Sequence, residues 1–476
     1  MISSKELNEL GFPHHPTLMP MAMKLVNTAI AEGADEKNLK ESMRILVKNP
    51  ASMLEDDLLG SLAGEFMKVF PQGTTFAFRS EPAPWKQWGD VAVEESAIRQ
   101  MKNACLLPNA VRGALMPDAH TGYGLPIGGV LAVKNAVIPY AVGVDIACRM
   151  RLTVLDMPLL ALQKDRRKLI RAIEEETRFG MGASFEGHNR RKHAVMDANW
   201  TVSPVTHRLK DKAWKQLGTS GGGNHFVEFG ELHLDAPALG LQKGVYLALL
   251  SHSGSRGTGE TVASHYSKVA MELRPFLPQE IKHLAWLDME SAEGREYWEA
   301  MHLMGRYAAA NHELIHAHIL RNLGVSAISH VENHHNFAWK EIHDGEEVIV
   351  HRKGATPASA GTLGVVPGSM GAPGFVVRGK GHADALNSCS HGAGRLMSRT
   401  AAFREINPDK VRAYLQEKGV ELISGGLDEA PMAYKDIHAV MAAQRDLVDI
   451  LARFEPRLVK MASGEDERRS RKKKRR

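Results

Sequence analysis

The chain has 476 residues, of which 43% are hydrophobic, enough to form the core of one large domain or of two to three ordinary ones. Its formal net charge of +5 includes eight positive charges in the last nine residues, RRSRKKKRR, so the rest of the chain is mildly acidic. The composition therefore excludes a uniformly basic protein. No apolar run approaches the roughly 18 residues of a membrane span, no secretory signal begins the chain, and three scattered cysteines argue against a disulfide framework, which together predict a cytoplasmic protein.

The first region, residues 1–75, has the pattern of a helical module. SSKE at 3–6 and SMLE at 52–55 match the capping box that begins a helix, and apolar residues follow each at helical spacing. MAMKLVNTAIAEG and LKESMRILVKNP lie between them, and Pro50 ends the second. Two roles are open for this module, packing and RNA binding. Residues 71–90 are rich in proline and glycine and predict a linker.

The second region, residues 76–462, alternates short β-branched runs with helical stretches. GGVLAVKNAVIPYAVGVDI, VYLALLSHSG, EEVIVHRKG and GFVVRG predict strands, and ALQKDRRKLIRAIEEE predicts a helix. Because the order is too irregular for repeated βαβ units or a (β/α)8 barrel, we predict a single large domain of mixed α/β (α+β) class. Residues 463–476 predict a disordered basic tail that either binds polyanions or only favours solubility.

The segment AVGVDIACRM, residues 141–150, places a carboxylate and a thiol three residues apart in Asp145 and Cys148. A hard and a soft ligand at one turn suit a borderline cation such as Mn²⁺, Zn²⁺ or Co²⁺ better than Mg²⁺ or Ca²⁺. The alternative is a buried free cysteine beside an aspartate that caps a helix, and this segment alone does not decide between them.

The segment GTSGGGNHFVEFG, residues 218–230, is a glycine turn that leads into a strand. Strand alternation puts Asn224, Phe226 and Glu228 on one face, and His225 and Val227 on the other. An amide and a carboxylate on one face can accept from and donate to a nucleobase or a ribose. A hairpin that contains a hydrogen-bonded structural histidine is the open alternative.

Four further glycine- or histidine-rich turns complete the set of candidates. SHSGSRGTG contains His252 at a strand end and Arg256 among small residues, and VENHHNFAWKE contains adjacent histidines of which one at most is expected to face a ligand. PGSMG offers free backbone N–H groups, and NSCSHGAGRLMSR surrounds His391 with small residues. Together these turns indicate a metal-dependent enzyme that acts on a nucleotide or a phosphate ester.

MPDAHTGYGLPIGG, AVGVDIACRM, GGGNHFVE, SHSGSRG, HHNFAWKE, RKGAT, PGSMGA, SCSHGAGRLMSR and EAPMAYKDI together resemble the successive motifs of the RtcB family of RNA-splicing and repair ligases. The resemblance runs from about residue 80 to 460 in the order of that family. It implies ligation, dependent on GTP and two Mn²⁺ ions, of a 3′-phosphate or 2′,3′-cyclic phosphate RNA end to a 5′-hydroxyl end. The implied partner is cleaved tRNA or other structured RNA. The resemblance does not indicate whether a separate protein activates the enzyme.

The resemblance also implies a role for each matched residue. His391 is the implied nucleophile, which becomes guanylylated by GTP before GMP passes to the RNA 3′-phosphate. The implied metal ligands are Asp145, Cys148, His225, His252 and His335. The implied contacts to the guanylate are Asn224, His225, Phe226, Val227, Glu228, His335, Asn336, Pro367, Gly368, Ser369, Met370, His391, Gly392, Ala393, Gly394 and Lys460. Arg256 resembles a phosphate-binding position of the family.

The sequence departs from the family pattern at its end and near position 374. The chain reads VKM around Lys460 and continues into the tail, where many relatives end at VKG, and Gly374 stands where some members have serine. These departures leave the metal and nucleophile positions intact. Two alternatives to a sealing ligase are open. One is an enzyme that caps RNA 3′ ends with GMP, and the other is an RNA-binding paralogue without ligase activity.

Overall fold

The computed structural model describes residues 2–13, 15, 17–70, 78–89 and 93–463 of the chain. The helices are α1 (Ser4–Glu9), α2 (Leu18–Ala31), α3 (Glu36–Lys48), α4 (Gly60–Val69), α5 (Glu95–Cys105), α6 (Pro139–Val142), α7 (Ala161–Lys164), α8 (Arg166–Glu176), α9 (Pro204–Gln216), α10 (Arg256–Leu273), α11 (Ala292–Leu323), α12 (Arg399–Glu405), α13 (Pro408–Glu417) and α14 (Ile437–Ala442). The strands are β1 (Trp85–Gln87), β2 (Ala110–His120), β3 (Ile127–Val133), β4 (Ala136–Val137), β5 (Arg149–Leu155), β6 (Phe226–Leu234), β7 (Gly244–Ser253), β8 (Leu287–Asp288), β9 (Ala327–His334), β10 (Asn336–His343), β11 (Glu346–Lys353), β12 (Ala355–Pro357), β13 (Leu363–Val366), β14 (Gly374–Gly379), β15 (Ser388–Ser390), β16 (Glu421–Ser424) and β17 (Val448–Met461).

Two larger sheets organise the body and confirm the predicted mixed α/β class. The first has five strands in the order β1-β2-β3-β11-β10, and the second has eight, in the order β13-β14-β17-β6-β7-β5-β9 with β16 beside β17. Most neighbours are antiparallel, and the pairs β1/β2 and β16/β17 are parallel. The predominance of antiparallel pairs agrees with the expectation that the fold is neither a repeated βαβ sheet nor a (β/α)8 barrel.

The two sheets are joined where β9 passes into β10 through a single residue, His335. The chain leaves the eight-stranded sheet at His334 and enters the five-stranded sheet at Asn336. The long helix α11 packs on β5 and β7 of the eight-stranded sheet. Strand ends from both sheets therefore meet around residue 335.

The predicted N-terminal helices are present, with one correction. Ser3 and Glu6 form the predicted capping box of α1, and α3 ends just before Pro50. SMLE does not begin a helix, because Pro50–Met53 is a short 3-10 turn and α4 starts later, at Gly60. Apolar side chains of these helices form a hydrophobic cluster of their own, whose members lie between Ile2 and Phe70.

The predicted linker is also corrected in part. Trp85–Gln87 form β1, which pairs with β2 in the first sheet, so this part of 71–90 belongs to the body. Residues 71–77 and the basic tail from 464 onward lie outside the described residues. In the described part of the chain, no helix combines the length and the apolar character needed to cross a membrane.

Candidate active site

His391 lies directly after β15, and a carboxylate from a segment 273 residues earlier in the chain fixes its ring. Asp118, on β2, is fully buried, and its Oδ2 accepts hydrogen bonds from His391 Nδ1 at 2.7 Å and from the backbone N–H groups of His391 and Gly392 at 3.0 and 3.3 Å. Burial opposes ionisation, but the hydrogen bond and charge of His391 hold the pKa of Asp118 below its usual range. Because Nδ1 donates to this carboxylate, Nε2 is the nitrogen that has the lone pair when the ring is neutral.

Arg352 holds the segment that leads to His391. This guanidinium is fully buried, donates to Ser388 Oγ at 2.7 Å and to the Leu386 carbonyl at 2.7 Å, and pairs with Glu341 at 2.6 Å. A planar guanidinium with several partners fixes its surroundings more firmly than a single charge does. Arg352 is therefore a structural support for the histidine segment and is not free to bind a phosphate.

Five side chains converge beside His391 in two overlapping groups. His225 Nε2 lies 3.0 Å from Asp145 Oδ2 and 3.4 Å from Cys148 Sγ. His252 Nε2 lies 3.0 Å from the same sulfur and 3.3 Å from His335 Nε2. Ligands bonded to one ion at about 2.0–2.3 Å are separated by roughly 3–3.7 Å, which is the spacing seen here. The ligand atoms of Cys148, His225 and His252 all lie within 4.8 Å of one another, so these three side chains could hold a metal ion, with Asp145 beside His225 and His335 beside His252.

Hydrogen bonds orient the imidazoles of this cluster, and burial favours the neutral form of His252 and His335. His252 Nδ1 donates to the Asn224 carbonyl at 3.0 Å, and His225 Nδ1 lies 3.1 Å from the Ser220 carbonyl oxygen and 3.0 Å from an Arg256 guanidinium nitrogen, contacts that turn each Nε2 toward the cluster. Burial lowers the pKa of His252 to about 3 and also lowers that of His335. Neutral imidazoles are the form that binds metal ions.

The acidic members of the cluster respond to the same burial. Burial raises the pKa of the Cys148 thiol far above its usual range, and the neighbouring Asp145 carboxylate adds to this shift. Burial also opposes ionisation of Asp145, but His225 and the Arg256 guanidinium outweigh it and lower the pKa of this carboxyl. A cation would compensate the buried negative charge and favour the thiolate. The donor set therefore fits a divalent cation.

A cavity of about 220 Å³ opens beside His391 and the cluster. A cavity needs only about 10–15 Å³ to hold one water molecule, so this one has room for an organic ligand. The ring centroids of His391 and His335 are 4.9 Å apart, and both residues line the cavity. A ligand in this cavity would therefore contact the histidine and the cluster at once.

One wall of the cavity carries a carboxyl group with apolar surroundings. Glu228 lies on β6 among Phe226, Leu250 and Val459, and burial raises its pKa well above the usual range. An uncompensated buried carboxyl is costly unless a ligand supplies hydrogen-bond donors. Glu228 is thus a candidate for recognition of a polar ligand edge.

The rim of the cavity is formed by paired charges. Arg395 donates to Glu429 at 3.3 Å, Arg399 pairs with Asp428 and Glu429 at 2.8 and 2.7 Å, and the Tyr434 hydroxyl donates to Glu429. Arg395 therefore already has a carboxylate partner. Its guanidinium lies over the Tyr434 ring, 5.1 Å from the centroid.

Comparison with known proteins agrees with this geometry. The sequence model of the family described as tRNA-splicing ligase RtcB matches residues 100–461, about three quarters of the chain. The chain belongs to the RtcB family. It is similar to the RNA-splicing ligase RtcB of Escherichia coli, with 36% identity over 78% of this chain and 96% of that protein. It is also similar to the tRNA-splicing ligase RtcB of Thermococcus kodakarensis, with 30% identity over 76% of this chain and 90% of that protein.

The structure of this RtcB member brings most of the predicted site residues together. All five predicted metal ligands are in the cluster. The predicted ligand-binding residues that line the cavity are Asn224, Phe226, Glu228, His335, Pro367, Gly368, Ser369, Met370, His391, Gly392, Ala393 and Gly394. The expected alternation is seen at 224, 226 and 228, and His225 reaches the cluster because it lies before β6 begins. Gly374, the departure noted in the sequence, also lines the cavity.

Three predicted residues of the site face elsewhere. Val227 is buried in the hydrophobic cluster on the opposite side of β6. Asn336 donates to the Asp145 carbonyl and accepts from the Gly354 N–H, so its amide holds two loops together. Lys460 Nζ contacts Glu174 at 3.2 Å, whereas its neighbours on β17, Val459 and Met461, line the cavity.

Several site residues of this RtcB chain were not assigned a role from the sequence. Asp118 and His120 lie in MPDAHTGYGLPIGG, and Glu429 and Tyr434 lie in EAPMAYKDI. The motifs that carried the resemblance therefore contained the signal for these residues. Their contacts with His391 and with the cavity join residues far apart in sequence and needed the structure.

Proposed function

We propose that this protein joins RNA ends by way of a covalent guanylate on His391. As a member of the RtcB family, the chain is an RNA ligase. The proposal adds that GTP activates a 3′-phosphate end, or a 2′,3′-cyclic phosphate end after water has opened the ring to a 3′-phosphate, for attack by a 5′-hydroxyl end. The observation that carries it is the position of His391, fixed by Asp118 at 2.7 Å, in a cavity next to a candidate metal centre.

The hydrogen bond from His391 to Asp118 prepares a nucleophile. With Nδ1–H donated to the carboxylate, the Nε2 lone pair is available to attack the α-phosphorus of GTP. The Nε2–P bond forms as the bond to pyrophosphate breaks, and the imidazole gains positive charge. The buried Asp118 carboxylate stabilises that charge where no water screens it. Transfer of GMP to the RNA 3′-phosphate then restores the histidine and gives the end a leaving group.

Glu228 supports guanine as the base of the bound nucleotide. Guanine carries N–H donors on N1 and on its 2-amino group, and a carboxylate can accept both. Adenine has an acceptor at N1, which would oppose the carboxylate. Burial raises the pKa of Glu228, and two such N–H donors would offset that effect and favour its ionised form. In this proposal Lys460 does not contact the base, since its Nζ lies on Glu174.

Two divalent cations fit the overlapping groups around Cys148. Asp145, Cys148 and His225 would hold one ion, and Cys148, His252 and His335 the other. A carboxylate, three imidazoles and a thiolate suit a borderline cation, and we propose Mn²⁺. Such ions, when bound, neutralise the charge of the triphosphate.

The remaining parts of the chain have proposed supporting roles. We propose 1–75 as a separate helical module and the basic tail as a source of sequence-independent phosphate contacts with RNA. Deletion of 468–476 should flatten the salt dependence of RNA binding, and an unchanged slope would remove the tail from the proposal. A reducing compartment such as the cytoplasm is supported by three free, buried cysteines.

Labelling with α-³²P GTP and Mn²⁺ tests the guanylate directly. Wild-type protein and His438→Ala, an exposed histidine outside the cavity, should retain label on a denaturing gel, and His391→Ala should not. α-³²P ATP should label weakly. Retention of label by His391→Ala would place the nucleophile elsewhere.

The same reaction separates sealing from capping of RNA ends. An RNA with a 3′-phosphate is supplied with and without a 5′-hydroxyl partner. A ligated product of the summed length supports sealing, and accumulation of GMP-capped RNA despite the partner would favour an end-capping enzyme.

A further inference from the structure

An exposed tyrosine lies between two residues that line the cavity and has no role in the chemistry above. Tyr123 is 69% exposed, the highest exposure among the large hydrophobic side chains of the described residues. It lies in the segment 121–126, which connects the lining residues His120 and Ile127. Three residues of chain span at most ~11 Å, so the backbone of Tyr123 is within that distance of a residue that lines the cavity.

Tyr123 is part of an aromatic group. Its ring centroid lies 6.5 Å from that of Tyr140 and 5.8 Å from that of His283, and the latter two are 4.5 Å apart. Single exposed apolar residues are ordinary, but three neighbouring rings of which one is largely free form a surface suited to stacking.

One accessible lysine lies beside these rings. Lys282 and Lys353 lower the pKa of His283 after burial does. Lys353 is itself buried, with a pKa lowered to about 7, so Lys282 is the cation that can reach a ligand. Glu94 keeps its negative charge, and the hydrogen bonds it accepts from Thr121 hold it at the start of the segment. The ligand contact expected here is therefore stacking on the rings, the sequence-tolerant mode in which proteins bind single-stranded nucleic acid.

The segment that presents Tyr123 is held in place along its length. The backbone of Gly122 exchanges hydrogen bonds with the Gln100 amide at 2.6 and 3.0 Å, and Lys353 Nζ donates to the Tyr123 carbonyl. A Cβ on Gly124 would lie 2.9 Å from the His283 carbonyl, so this glycine fits closely against its neighbour. A ring held in this way loses little conformational entropy when a base stacks on it.

Lys353, which contacts the backbone of Tyr123, and the residue after it connect the aromatic group with the candidate nucleophile His391. Gly354 follows Lys353 and lies against the His391 ring, since a methyl group on Gly354 would be 3.1 Å from His391 Cε1. The RNA end that takes GMP from His391 must bring its 3′-phosphate to this ring. The nucleotides just before that phosphate would then pass the segment 121–126.

We infer that Tyr123, with Tyr140 and His283, stacks the terminal bases of the RNA strand that ends in the 3′-phosphate. The inference rests on the proposed function for the identity of the reacting end. It adds a binding surface for that strand, in which stacking is tolerant of sequence because every base has a π face.

The test is the affinity of a short, single-stranded, fluorescein-labelled RNA with a 3′-phosphate, measured by anisotropy without GTP. Tyr123→Ala should bind about tenfold more weakly than wild type, and Tyr123→Phe should bind within about twofold of it. Ile342→Ala is the control, because Ile342 is also exposed but lies toward the far end of β10. Equal salt slopes for wild type and Tyr123→Ala are expected, since no charge is removed.

A second arm changes the RNA and leaves the protein intact. Removal of the last base or the one before it should weaken wild-type binding by a similar factor and should not weaken Tyr123→Ala further. Unchanged affinity of wild type for both abasic RNAs, or wild-type affinity in Tyr123→Ala, would overturn the inference. Failure of guanylylation leaves this assay unaffected, so the two proposals fail separately.

Discussion

The substitution Asp118→Asn keeps the shape of the side chain and removes the charge that faces His391. Asp118 Oδ2 accepts from His391 Nδ1 at 2.7 Å inside the protein, where the imidazole would become positively charged in the proposed guanylylation. A hydrogen bond to a charged partner contributes about 1.5–3 kcal/mol and a neutral one about 0.5–1.5 kcal/mol. The difference, together with the loss of a fixed tautomer, corresponds to a roughly 10- to 100-fold slower step.

The assay is single-turnover incorporation of label from α-³²P GTP, over a range of GTP concentrations. Because Asp118 does not line the cavity, the rate at saturation should fall while the concentration for half-maximal rate changes little. Asp384→Asn is the matched control. Asp384 is an exposed carboxylate that pairs with Arg112, which lies on β2 as Asp118 does, and the labelling rate of this variant should stay within about twofold of wild type. Wild-type labelling by a folded Asp118→Asn protein would refute this account of His391.

Two further predictions follow from buried groups outside that pair. Glu228→Gln should reduce labelling by GTP about tenfold and should lower the ratio of GTP labelling to ATP labelling, because one carboxylate acceptor for guanine becomes an amide donor. An unchanged ratio would contradict the assignment of Glu228 to the base. Stability should fall as pH drops below about 6.5, because burial lowers the pKa of His312, His316 and His351 (the last to about 4), so the unfolded chain binds protons that the folded chain does not. Each such histidine changes the free energy of unfolding by up to about 1.4 kcal/mol per pH unit between its pKa in the folded and in the unfolded state. The measurement is the urea midpoint at pH 7 and at pH 5.5, with a chelator present. Equal midpoints would mean that these histidines are not buried in the neutral form.

The sequence predicted the parts of the fold that depend on local patterns. β-Branched runs gave the strands that became β3, β7, β11 and β14, and the stop at Pro50 was confirmed. The prediction from SMLE was wrong because a capping-box pattern is short, and its first two residues belong to the 3-10 turn Pro50–Met53, which starts at a proline. β1 was taken for a linker because three residues between prolines and glycines carry no alternation, and its pairing with β2 is a tertiary contact.

The site was predictable where its residues lie in glycine-rich turns. The alternation at Asn224, Phe226 and Glu228 follows from strand geometry alone. The pairing of Asp118 with His391 joins residues 273 positions apart, and no periodicity within either segment indicates it. The orientation of Lys460 depends on the register of β17 against β6, where it stands opposite Val227 on the face away from the cavity. Register is set by the whole sheet, so a short motif does not contain it.

The passage of the chain from β9 to β10 through His335 has a consequence for how the candidate site is built. The candidate metal ligands lie on or beside strands of the eight-stranded sheet, whereas Asp118 belongs to the five-stranded one. The candidate metal ligands and the carboxylate that orients His391 therefore come from different sheets. The candidate site is complete only where the two sheets meet, so a substitution that shifts one sheet against the other would change the distance between His391 and the cluster without altering any residue of the site.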